Sequence, residues 1–205
     1  GLSGVDGGLL VGERVPGVGL VAHVVGIKRD LLDALLVSGQ VPVVAPLARD
    51  EDGLVCNVNA DDAAAGLAAG LGARQLVLMT DVDGIRGPDG AKIGTLTAAE
   101  AEALIRDGTI SGGMVPKIRA ALAGIAAPGS HAVICDAGAP GALAHRAETQ
   151  LAQPAQLAQQ RARPLEQRGA GGSQLHALAD AVEEHRAELL LQAGNALADR
   201  WLGEK

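Results

Sequence analysis

The run QLVLMT from Gln75 to Thr80 constrains the fold most, because it is almost continuously apolar where a half-exposed strand would alternate. A strand of that kind must be covered on both faces, and helices layered on a parallel sheet are the usual cover. Its flanks agree. Asn59 to Leu71 reads as an alanine-rich helix closed by Gly72, and Thr97 opens another helix that ends near Gly108, with Glu100 completing a T-x-x-E box. A helix is expected from about Gly112 to Gly124 and a further strand from Ser130 to Asp136. Upstream, Val18 to Val25 reads as a strand, and Lys28 to Val37 as a helix with Leu31, Leu32, Leu35 and Leu36 on one face and Gly39 as its stop. Val41 to Leu47 and Leu54 to Val58 read as strands separated by the turn Asp50 to Gly53, and Pro88 to Gly90 as another turn. This rhythm predicts an α/β fold, a mostly parallel sheet sandwiched by helices, over residues 1–145.

The material for that core is unusual. Phe and Tyr are absent, and Trp201 is the only Trp, so small aliphatic side chains must fill the interior and aromatic base stacking is essentially unavailable. With 24 acids against 17 bases the net charge is −7, which argues against a nucleic-acid partner. No apolar run approaches the roughly 20 residues of a membrane helix, and no signal peptide is visible, so a cytoplasmic protein is expected. Cys56 and Cys135 sit far apart in apolar runs and read as buried thiols. After about Arg146 the text changes. Residues 146–174 are rich in Gln, Ala, Arg and Gly without a clear period and read as a low-complexity linker. Residues 175–203 carry apolar side chains at helical spacing from Leu175 to Trp201, an amphipathic extension that could pack on its own chain or dock a partner.

Three segments carry chemistry. ISGGMVPK, from Ile110 to Lys117, places a serine and two glycines at a helix entry and a lysine about one turn inside it. Unpaired N–H groups at a helix start, approached closely over glycine, together with a mobile ammonium group, form a grip for phosphate. Pro116 is tolerable there because it falls in the first turn. NVNAD, from Asn57 to Asp61, ends a strand and starts a helix. Its carboxamides can orient a carboxylate ligand, and Asp61 is stabilised as an anion by the helix dipole, although Asn59 and Asp61 could equally be helix caps. DVDGI, from Asp81 to Ile85, directly follows the buried strand, where ligands of parallel sheets gather, and Gly84 suits a tight turn.

Together with GLSGVDG at Gly1 to Gly7, QVPVV at Gln40 to Val44 and HAVICDAG at His131 to Gly138, these motifs resemble the amino-acid kinase superfamily and, within it, the acetylglutamate kinase family. The resemblance covers about the first 145 residues in family order. It implies an amino-acid kinase-like fold and the ATP-dependent phosphorylation of the side-chain carboxylate of N-acetyl-L-glutamate, an early step of arginine biosynthesis. It further implies that Asn57, with Asn59, holds the acid. Asp61 would orient the catalytic lysines, and Lys117 would stabilise the transferring phosphoryl group. Asp81, Val82, Asp83, Gly84, Ile85 and Arg86 would line the nucleotide site with Thr109, Ile110 and Ser111, and Mg²⁺ would bridge the ATP phosphates. Family members are dimers or hexamers, so a homo-oligomer is compatible with it.

The family's lysine-and-glycine-rich first strand, its Gly-Gly pair and its substrate-binding arginine have no counterpart from Gly1 onward, and neither has its closing segment after Ala144. The expectation is therefore an incomplete kinase chain that binds nucleotide with little turnover. The alternatives are a non-catalytic nucleotide-binding or interaction module, and an amino-acid kinase acting on another carboxylate.

Overall fold

A computed structural model describes residues 1–138 and 149–152. Its strands are β1 (Leu2–Ser3), β2 (Leu10–Arg14), β3 (Val21–Ile27), β4 (Val44–Ala45), β5 (Leu47–Arg49), β6 (Val55–Val58), β7 (Gln75–Thr80), β8 (Ile85–Arg86), β9 (Lys92–Ile93), β10 (Thr95–Thr97), β11 (His131–Asp136) and β12 (Thr149–Ala152). The helices are α1 (Asp30–Val37), α2 (Ala60–Leu71), α3 (Ala98–Arg106) and α4 (Met114–Gly124). A 3-10 turn covers Asp6–Gly8.

The expected α/β character holds, but the single mostly parallel sheet does not. Strands β10-β12-β11-β7 form one sheet, in which β7 and β11 run parallel, β11 and β12 antiparallel, and β10 and β12 parallel. Strands β2, β3, β6 and β5 close into a small barrel of mixed direction. Pro46 explains part of this. It interrupts the strand expected over Val41 to Leu47, leaving β4 to pair with β1 and β5 with β6. Strand β12 lies within the stretch expected to be linker. The remainder of residues 146–174 and the helical extension at 175–203 lie outside the described residues.

The barrel can be so narrow because of what points inward. Gly12, Ala22, Ala48 and Cys56 are buried there, and a Cβ on Gly12 would come within 2.9 Å of the Ala22 methyl. Helix α2 links the two cores. Its Ala63 and Leu67 pack in the barrel cluster with Leu10, Leu32 and Val58, while Ala64 and Ala68 pack in the sheet cluster with Leu76, Leu78, Ile118 and Ile134. Small side chains on both faces let the barrel and the sheet approach one helix closely, as a chain without Phe or Tyr requires. Both cysteines are buried, and neither forms a disulfide among the described residues.

Helix ends follow their local signals. Asn59 caps α2 by accepting from the backbone N–H groups of Asp61 and Asp62, and Gly72 ends it in the left-handed region. Thr97 and Glu100 form the expected capping box of α3. Among the described residues, no helix is long and apolar enough to cross a membrane.

Candidate functional site

The carboxyl ends of β7 and β11 lie side by side, with Thr80 opposite Asp136 in parallel register. Beyond them opens a cleft of about 570 Å³ lined by Asp81 through Arg86, Thr109, Ile110, Ser111, Met114 and Asp136. All nine residues expected from the sequence at a nucleotide site therefore line one cavity, at the strand ends where ligands of such sheets bind. One wall is the loop from β7 to β8. Gly84 sits at φ 131°, which a β-carbon would strain, so the chain can turn there at little cost. Arg86 folds back over this wall, donating to the Gly90 carbonyl at 3.0 Å and to the Asp83 carboxylate at 3.2 Å. The other wall is the approach to α4. Gly112 is left-handed at φ 59°, and Gly113 leads into the helix without a side-chain cap, so its first N–H groups have no local side-chain acceptor.

Two of the nine are anchors. Ile85 and Ile110 belong to the sheet core, and each pins its wall of the cleft there. Asp107 steadies the second wall by accepting from the Thr109 backbone N–H at 2.9 Å, and the Thr109 hydrogen bonds hold its carboxyl below the usual carboxylate range.

Lys117 and Asp61 meet in the joint between α4 and α2. Their Nζ and Oδ2 atoms are 2.7 Å apart, and the side chains are only 11 % and 15 % exposed. The two segments are 56 residues apart in sequence, and this contact ties the glycine-entered helix to the NVNAD helix. Asp61 Oδ1 is buried and, among the described residues, has no hydrogen-bond partner. It is an acceptor held in place and left open.

The remaining expected residues are more dispersed. The Asn59 side-chain oxygen is occupied in capping α2. Asn59 also lines a second, larger groove of about 860 Å³ with His23, Asp62, Arg119 and small residues of α2 and α4. Asn57 is exposed on β6 and lines neither cavity. Sequence reasoning missed Asp136 and Met114. The argument that picked out Asp81, a residue at the end of a buried parallel strand, applies equally to Asp136, and Met114 opens the helix whose entry was already singled out.

Known proteins match this chain in sequence and in fold. The sequence profile of the amino acid kinase family matches residues 1–136. An acetylglutamate kinase of Rubrobacter xylanophilus is 51 % identical over 144 residues, covering 70 % of this chain and 56 % of that protein. One from Geobacillus thermodenitrificans is 46 % identical over 127 residues, 61 % of this chain and 49 % of the relative. The chain thus spans about half the length of the curated relatives it matches. In fold it is similar to the N-acetylglutamate synthase of Neisseria gonorrhoeae, with a TM-score of 0.63 at 24 % identity, covering 91 % of this chain and 47 % of that one. The profile match spans the barrel cluster, all of the sheet cluster except Leu151, and every segment that lines the cleft, and by it the chain belongs to the amino acid kinase family.

Proposed function

We propose that the cleft and the adjoining ion pair serve an acetylglutamate kinase reaction, the phosphorylation of the side-chain carboxylate of N-acetyl-L-glutamate by ATP. The observation that carries this reading is the buried Lys117–Asp61 pair, set one turn inside a glycine-entered helix whose entry lines the cleft. The cleft residues suit a nucleotide. Thr109 and Ser111 offer hydroxyls along the wall that leads through Gly112 and Gly113 into α4, where the Met114 N–H has no side-chain cap, and apolar Met114 adds surface for a base. ATP supplies the phosphoryl group. Mg²⁺ that accompanies the nucleotide would take most of its ligands from the phosphates and water, as it does where one or two carboxylates complete the site.

Phosphoryl transfer asks a protein mostly for positioning and for positive charge at the transferring group. Lys117 supplies the charge, and Asp61 fixes the ammonium in place without a search through rotamers. The open Asp61 Oδ1 is suited to a second ammonium, in keeping with a carboxylate that orients two lysines. Asn57 and Asn59 are the candidates for holding the acid. That open oxygen also favours a second reading: a unit that binds nucleotide but turns it over slowly until a further cation is supplied.

Acyl-phosphate trapping with hydroxylamine tests the proposal, on the chain alone and on a chimera joined to the part of the Rubrobacter relative outside the match. The chimera should form hydroxamate with N-acetyl-L-glutamate in preference to glutamate or carbamate, and Lys117→Met should abolish it. The chain alone should bind nucleotide with little turnover. A chimera that prefers another acid, or one whose turnover survives Lys117→Met, would overturn the assignment.

A further inference from the structure

The cleft contains a carboxylate that the proposed reaction leaves without a task. Asp136 ends β11 directly beside the end of β7, so the parallel pair delivers Asp136 and Asp81 to the same cleft. Its Oδ1 accepts from the Gly138 backbone N–H at 2.8 Å, which fixes the carboxylate plane. No donor among the described residues reaches Oδ2. Asp83, the other acid on that loop, is already engaged by Arg86, and Asp81 accepts from the Thr80 hydroxyl at 3.1 Å.

An ionised carboxylate can only accept hydrogen bonds, so it calls for donors on the ligand. Phosphate oxygens offer none at neutral pH and would be repelled. The vicinal hydroxyls of a ribose offer two adjacent donors that suit one carboxylate edge, whereas an exocyclic base amine presents its donors from a single atom. We propose that Asp136 positions the nucleotide by accepting hydrogen bonds from the ribose hydroxyls, and so makes the cleft selective for ribonucleotides. This rests on the nucleotide reading of the cleft. The acidic strand ends would then hold the nucleoside, and the phosphates would face the glycine-rich entry to α4.

Calorimetric titration of the full chain with the Mg²⁺ complexes of ADP, 2′-deoxy-ADP, 3′-deoxy-ADP and IDP tests it, for the native chain and for Asp136→Asn. The carboxamide retains an acceptor for Gly138, so the turn can survive the substitution. The native chain should bind ADP at least about tenfold more tightly than one of the deoxy analogues, the usual scale for a hydrogen bond to a charged group. Asp136→Asn should weaken ADP by a similar factor and bind ADP and that analogue about equally. Unchanged ADP affinity in the variant overturns the proposal, as does a preference for ADP over IDP that the variant removes. If the variant melts at a lower temperature, the native chain decides alone, and equal affinity for ADP and both deoxy analogues refutes the role. No saturable binding of any nucleotide by the native chain overturns the nucleotide reading itself, and this inference with it.

Discussion

Replacing Lys117 by Met keeps most of the side-chain volume and removes the cation from a joint where both partners are nearly enclosed, at 11 % and 15 % exposure. Asp61 is then left buried with neither carboxylate oxygen paired, since Oδ1 has no partner among the described residues even in the native chain. Removing one member of a buried pair typically costs about 3–5 kcal/mol. Asp61 lies in the first turn of α2, and the helix dipole offsets about 0.5–1 kcal/mol of that. The net expectation is a loss of about 3 kcal/mol, a large part of the stability of a domain this size. Adding Asp61→Asn removes the stranded charge, so the double variant should recover about 2 kcal/mol of it. Urea unfolding followed by far-ultraviolet circular dichroism measures both values. A loss below about 1 kcal/mol in Lys117→Met, or a coupling under about 0.5 kcal/mol in the cycle, would show a solvated surface pair and refute the reasoning.

Other outcomes follow from the same contacts. A Cβ on Gly66 would come within 2.5 Å of Val24 Cγ1, so Gly66→Ala should lose about 1–2 kcal/mol despite its better helix propensity, and Val24→Ala in that background should restore most of it, as read by thermal melts. Asn59→Ala should cost about 1 kcal/mol as a lost cap while Asn59→Ser retains stability. If Asn59 also holds the acid, the serine variant will still bind N-acetyl-L-glutamate more weakly in the chimera, and full affinity would assign it to capping alone. Asp107 has its carboxyl lowered by the Thr109 hydrogen bonds, so its contribution is present above the ordinary carboxylate range and lost as pH falls through the lowered value. Hydrogen exchange at Thr109 should accelerate in acid relative to its intrinsic rate, and Asp107→Asn should flatten that dependence. An identical acid response in the variant would remove Asp107 from the account.

The parts legible from sequence were those fixed by a few neighbouring residues. β7 runs from Gln75 to Thr80 as its apolar run implied, α2 starts and stops at Asn59 and Gly72, and Thr97 with Glu100 opens α3. The nine cleft residues converge because two motifs stand at element boundaries that local signals define. Long-range pairing was not legible. Leu10 to Arg14 lacks strict alternation because Gly12 must admit Ala22 and Ala48 at a crowded barrel interior, so β2 carries little local strand signal. β12 inserts between β10 and β11, an order that nothing near Thr149 announces. Asn59 shows a further limit, since a polar residue before a helix has the same spelling whether it caps, binds or does both.

Hydrogen exchange of the full chain with and without MgADP tests the central claim most directly, because it locates the ligand without presuming turnover. Protection should appear in residues 81–87, 109–115 and 136–138, the segments that wall the smaller cleft, and leave residues 23–27 and 65–70 of the larger groove unchanged. Protection at the larger groove, or a saturable ligand with no protection at residues 81–87 and 109–115, would contradict the assignment of the nucleotide to this cleft.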